Sequence, residues 1–78
     1  MFDVHVQYFA VLREKMGVPS QIVSCASGTT VDALYHHLFG AFAHQFTVSY
    51  AVNRMQVPKD TVLEAGDDVV FLPPMGGG

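Results

Sequence analysis

The chain is poor in most of what the simple functional classes require. It carries one cysteine, Cys25, so it cannot form an internal disulfide, and a stapled secreted miniprotein is excluded. Lys and Arg together number 4, against 7 Asp and Glu. A nucleic-acid partner would need a basic stripe, which these few cations cannot build. Charged residues make up only 14% of the chain and form no block of one sign, which excludes a charged disordered tail. No apolar run approaches the roughly 18 to 20 residues of a membrane helix. Asp3 and His5 also interrupt the first apolar stretch too early for a secretory leader. No repeat and no internal linker is present. These absences predict a cytoplasmic domain with neither a membrane nor a nucleic acid as partner.

What is abundant is apolar surface. Of 78 residues, 50% are hydrophobic, with 6 Phe and 3 Tyr. That is enough for one core and too short a chain for two.

Phe2 to Phe9 alternates with a period of two: Phe2, Val4, Val6 and Tyr8 lie on one face, Asp3, His5 and Gln7 on the other. This predicts a half-buried strand. Leu12 to Met16 reads as a short helical turn stopped at Gly17, and Gln21 to Cys25 as a second strand. Thr30 can cap a helix whose apolar row is Val31, Leu34, Leu38 and Phe42, with Asp32 at its positive end. Gly40 costs that helix about 1 kcal/mol relative to alanine and marks its fraying end. Val48 to Asn53 and Asp68 to Leu72 predict two more strands, the last entered through a Glu64-Ala65-Gly66-Asp67 turn. The order predicts an α+β fold, a mixed four- to five-stranded sheet with one main helix across one face. The β-grasp (ubiquitin-like) arrangement is the simplest candidate. The expected boundaries are a domain over 1–72 and a tail over 73–78.

Catalytic constellations are scarce. His36 and His37 are adjacent on a helix and so point about 100 degrees apart. With His5 and His44 they do not have the spacing of a zinc site, so no metal is expected. Cys25 in an apolar strand reads as a small hydrophobe, and Asp67 and Asp68 as solvated turn residues. Arg13, Glu14 and Lys15 make either a solvated face or a docking patch. No glycine-rich loop precedes a helix, so there is no phosphate cradle. The chain alone has no evident catalytic machinery.

The tail, Pro73-Pro74-Met75-Gly76-Gly77-Gly78, is different. The proline pair fixes two φ angles and favours a stiff, extended exit from the last strand. Six extended residues reach up to roughly 20 Å. A terminal glycine offers a carboxylate without a side chain beside it, and such a thread can pass through a narrow tunnel. Glycine-rich ends are also often frayed without purpose, but a frayed end has no need of a stiff exit.

The segments Tyr8-Phe9-Ala10-Val11-Leu12-Arg13-Glu14, Thr30-Val31-Asp32-Ala33-Leu34, Ala51-Val52-Asn53-Arg54 and Gly66 to Gly78 run in order along nearly the whole chain. In them the sequence resembles the MoaD-type sulfur carriers, the molybdopterin synthase small subunits of the ThiS/MoaD ubiquitin-like family. The most specific part is the Gly66-Asp67 turn followed by an apolar strand, Pro73-Pro74 and the terminal glycines. Leu72 stands where a second aromatic is common in the family, and Gln56 where an apolar residue is frequent.

The resemblance implies that an E1-like activating enzyme consumes ATP to adenylate the Gly78 carboxylate. A sulfur donor then makes a thiocarboxylate, which delivers sulfur to a cyclic pyranopterin precursor in molybdenum cofactor synthesis. It implies further that Gly76 and Gly77 line the approach to the active site of a large subunit. Phe9, Leu72, Pro73, Pro74 and Met75 would contact that subunit, with Arg13 at the edge. The implied assembly is a heterotetramer of two small and two large subunits. No cofactor is expected on this chain, and the enzyme activity would belong to the complex. The alternatives are a thiocarboxylate carrier for thiazole or cysteine synthesis, and a ubiquitin-like modifier joined to lysines.

Overall fold

The computed structural model describes residues 1–73. Strand β1 (Phe2–Tyr8) leads into helix α1 (Ala10–Met16), then β2 (Ser20–Cys25) and helix α2 (Val31–Phe39). A 3-10 helix (Gly40–Gln45), β3 (Ser49–Val52), β4 (Met55–Val57) and β5 (Asp68–Leu72) follow. The sheet order is β2-β1-β5-β3-β4. β1 and β5 are parallel at its centre, while the outer pairs are antiparallel. This is the expected α+β fold, with five strands.

Alternation explains β1: Val4, Val6 and Tyr8 are buried, while Asp3 is exposed and His5 and Gln7 are half-buried. Gly17 adopts φ 77° and its N–H donates to the Arg13 carbonyl, stopping α1 as expected of a left-handed cap. Thr30 caps α2, its Oγ1 accepting from the Ala33 N–H at 3.1 Å. The long connection from β4 to β5 is tied to the start of α2. There the Val31 N–H donates to the Thr61 carbonyl and the Leu63 N–H to the Thr29 carbonyl, both at 2.9 Å.

The helical row differs from expectation in one respect. Val31 and Leu34 are buried, but Tyr35 and Phe39 complete the core face, while Leu38 is half-buried and Phe42 is exposed. Gly40 takes φ 53° and turns the chain into the 3-10 segment, so Phe42 leaves the α-helical row. Ala43 is buried instead, and its carbonyl accepts from the Tyr35 hydroxyl at 2.9 Å. β4 was not foreseen. Its three residues follow an Asn53-Arg54 turn in which both residues have positive φ, 52° and 71°. That is the geometry of a tight hairpin.

The core is an aromatic cluster of Tyr8, Tyr35, Phe39, Tyr50 and Phe71, joined by Val4, Val6, Leu12, Val31, Leu34, Leu63 and Val69. Tyr8 is 1% exposed, and its hydroxyl has no hydrogen-bond partner among the described residues. Burial accordingly pushes its pKa up to about 12. Replacing Tyr8 with Phe removes a desolvated hydroxyl with no bond to lose. The expected urea-unfolding result is therefore neutral, or stabilising by up to about 1 kcal/mol. The variant also loses less stability than the parent above pH 10. In the parent the unfolded Tyr8 ionises near its ordinary value of 10 while the folded residue holds its proton to about 12. A destabilisation beyond about 1 kcal/mol would reveal a partner for that hydroxyl.

Candidate functional site: the apolar end of the central strands

β1 and β5 run parallel, so their C-terminal ends lie at the same end of the sheet. Tyr8 is in register with Phe71, which carries Phe9 alongside Leu72 at the next step. Pleating sends Tyr8 and Phe71 into the core and the next residues to the opposite, open face. Phe9 is 46% exposed and Leu72 36% exposed, large apolar side chains that lie partly open among the described residues. Phe9 is extended (φ −129°, ψ 154°), and Ala10 then takes φ 50° as α1 begins. An alanine in the left-handed region is strained, and here it makes the sharp corner between strand and helix. Val11, on the first turn, is 41% exposed beside it in sequence.

The open face continues the patch. β5 alternates Val69 and Phe71 toward the core with Val70 and Leu72 away from it. In the neighbouring strand Ala51 pairs with Val70, and Gln56 of β4 pairs with Ala51. Val70 and Ala51 were not singled out from sequence. The signal was present, since a strand apolar on both faces needs a second cover. The polar Gln56 lies at the outer edge of this strip and does not interrupt it.

A polar group bounds the patch at the opposite end of the strands. Asp68 accepts two hydrogen bonds from the Gln7 amide, at 2.9 and 3.1 Å, and lies 3.4 Å from the His5 ring. Its N–H donates to the Asn53 Oδ1, whose amide nitrogen donates to Asp67. Asp67 also accepts from the Glu64 N–H at 2.8 Å, closing the turn. Asp67 is thus the turn residue expected. Asp68 is instead the first residue of β5, half-buried against Gln7 and His5 rather than a solvated turn residue, because the strand begins one residue after the turn closes.

Of the expected contact residues, Phe9 follows β1 and Leu72 ends β5 at the same end of the two paired strands, and Pro73, just after β5, is buried. Arg13 is exposed one helical turn after Phe9 and shares a shallow groove with Glu14, Gly17, Val18 and Pro19. Pro74, Met75, Gly76, Gly77 and Gly78 lie outside the described residues. Cys25 is a buried free thiol whose pKa is raised by burial and then by Asp3. That disfavours the thiolate a nucleophile needs. Among the described residues no His, Cys, Asp or Glu cluster could hold a metal, and no helix is long and apolar enough to cross a membrane.

The ThiS family model matches residues 6–78. The chain belongs to the ThiS family. It is 36% identical over 83 residues to the molybdopterin synthase sulfur carrier subunit of Mycobacterium tuberculosis, each chain being covered completely. Among solved structures, a Pyrococcus furiosus protein provisionally assigned as molybdopterin converting factor subunit 1 has a TM-score of 0.84 and 27% identity. It covers 96% of this chain and 100% of its own. The Haloferax volcanii small archaeal modifier protein 1 shares the fold, with a TM-score of 0.81, 21% identity and coverage of 96% and 100%. So does the Helicobacter pylori complex of subunits 1 and 2 of molybdopterin-converting factor, at 0.65 and 19%, covering 99% and 100%. The β-grasp expectation for this ThiS-family chain is met along its whole described length.

Proposed function

We propose that this ThiS-family protein is the sulfur-carrier small subunit of a molybdopterin synthase. The observation that carries the reading is the partly open Phe9–Leu72 patch at the point where β5 hands the chain to Pro73. Whatever holds that patch also receives the residues that follow it. The complete-length similarity to a named sulfur carrier supports the same reading.

In this mechanism the domain is a handle and Gly78 is the reacting residue. An E1-like partner directs the Gly78 carboxylate at the α-phosphorus of ATP, releasing pyrophosphate and leaving an acyl-adenylate. A donor that delivers sulfur at the hydrosulfide level adds HS− to that carbonyl, the C–O bond to AMP breaks, and loss of the thiol proton leaves the thiocarboxylate. The Phe9, Val70 and Leu72 face then seats on the large subunit. Gly76 and Gly77, having no side chains, pass into its active site beside the pyranopterin precursor. Pro73, Pro74 and Met75 set the direction of exit, and Arg13 lies at the rim. Partnership with a large subunit is supported by the two-subunit complex of the Helicobacter pylori relative. The chain supplies no general acid or base of its own; its part is positioning.

Intact-mass measurement after incubation with the activating enzyme, ATP and a sulfur donor tests the reading. One oxygen of the protein should be replaced by sulfur. An unchanged mass while the enzyme consumes ATP overturns the carrier role. Conjugates of higher mass on a denaturing gel would instead mark a protein modifier. A thiocarboxylate that no large subunit discharges onto a pyranopterin would mark a carrier for another pathway, such as thiazole or cysteine synthesis.

A further inference from the structure

The two edges of the sheet are guarded very differently. β4 is three residues long and is flanked by Arg54, Pro58, Lys59 and Asp60, which hinder the addition of another strand. β2 is six residues long and, among the described residues, pairs only with β1. From Met16 to Val31 the sequence has no Asp, Glu, Lys or Arg, and β2 itself contains no proline. Ile22, at its middle, is 65% exposed. A long, neutral, unprotected edge strand with an apolar centre is a template for pairing.

The register says which backbone groups are free. The Tyr8 N–H donates to the Pro19 carbonyl at 2.9 Å. Antiparallel ladders alternate bonded and non-bonded pairs, so Val6–Gln21, Val4–Val23 and Phe2–Cys25 are the bonded pairs of this ladder. The N–H and C=O groups of Ser20, Ile22 and Ser24 therefore point outward, away from β1. Their side chains lie on the open face, with the Ser24 hydroxyl donating to Asp3 at 2.8 Å.

Read outward, this edge is Ser-Ile-Ser, which is the same in both directions. We propose that β2 pairs antiparallel with β2 of a second copy about a two-fold axis through Ile22. Each Ile22 would exchange both backbone bonds with its counterpart, and each Ser20 would do so with the other copy's Ser24. The two Ile22 side chains then cover one another on the open face. A chain of net charge −3 meets its copy along a strand free of Asp, Glu, Lys and Arg, which keeps self-repulsion low there. The Asp3 carboxylates stay three strand spacings apart, about 14 Å, beyond the Debye length of about 8 Å at physiological salt. The two-fold axis sends the two β5 strands in opposite directions. Both Phe9–Leu72 patches remain open, so the pairing is independent of the tail's chemistry.

Sedimentation of the full chain from about 10 µM to about 1 mM, combined with amide exchange, tests this. The mass should rise toward twice the 8.5 kDa of one chain. Over the same range the Ile22 and Ser24 amides should slow by at least about tenfold. Gln21 and Val23, already bonded to β1, should not change. Ile22→Lys should remain monomeric throughout with an unchanged melting curve, since the position is exposed and the introduced charges would face each other. Three results each overturn the proposal: a monomer at the highest concentration, a dimer whose Ile22 and Ser24 amides stay unprotected, and undiminished pairing of Ile22→Lys. A strand edge reserved for a different protein would give the first of these.

Discussion

Phe71→Ala should destabilise the domain by about 3–5 kcal/mol and leave a large unfolded fraction at 37 °C. Phe71 is fully buried on the central strand. Its ring lies 5.3 Å from that of Tyr35, 5.9 Å from Tyr50, 6.2 Å from Phe39 and 6.5 Å from Tyr8. Three of these contacts are edge-on and the fourth is tilted, and edge-on is an arrangement aromatic quadrupoles favour. Truncation removes the apolar area of the ring and opens a cavity walled by large, stiff side chains that collapse poorly. A domain of this size has about 4–12 kcal/mol in total, so the loss is comparable to the whole. Because each 1 kcal/mol moves the midpoint by about 4–8 °C in domains of this length, the melting temperature should fall by tens of degrees. Thermal and urea unfolding followed by circular dichroism measure it. A loss under about 1 kcal/mol would show that the cluster repacks freely and that Phe71 is not its centre.

The same residue links stability to the candidate site. Phe71 faces the core, and Val70 and Leu72 on either side of it face outward. Fixing the ring therefore fixes the orientation of the two residues that form the patch. Phe71→Leu, which keeps most of the volume, should lose less stability and preserve the geometry of the strand end. Partner binding should then survive in that variant in proportion to its folded fraction.

Much of this was legible in the sequence where one periodicity had no competitor. β1 alternates strictly, Thr30 precedes a helical row, and Gly17 and Gly66 stand where the chain needs φ of 77° and 81°. The helix face was less determined, because Val31 and Leu34 are compatible with a row through Tyr35 and Phe39 as well as one through Leu38 and Phe42. Tertiary packing chose the former once Gly40 ended the helix. β4 left no local trace: Met55 and Gln56 are exposed and Val57 half-buried, so three residues carry no usable alternation. It exists because β3 offers it an edge and the Asn53-Arg54 turn returns the chain. At the site, Phe9 and Leu72 were named through the family's residue pattern. Their meeting depends on the parallel pairing of strands 60 residues apart, which no local signal encodes. Val70 and Ala51 join them by register alone.

Removing Gly78 should reduce sulfur transfer by at least about a hundredfold while leaving unfolding free energy within about 0.5 kcal/mol of the parent. The truncated chain would still end in glycine, at Gly77, with a carboxylate available for adenylation. Any loss then comes from reach rather than from the chemistry of the terminal group. One residue spans about 3.3–3.6 Å when extended, several times the misplacement of about 1 Å that can already cost two orders of magnitude. The domain should not notice, because among the described residues every member of its hydrophobic core lies at or before Phe71. Gly78→Ala separates length from width. It keeps the reach and adds a Cβ, so it should transfer sulfur better than the truncation if distance dominates, and no better if the tunnel excludes any side chain. Single-turnover transfer from pre-formed thiocarboxylate, with the large subunit in excess, isolates delivery from activation. Wild-type rates from the truncated protein would mean that the last residue does not carry the sulfur, and the proposed role of Gly78 would fail.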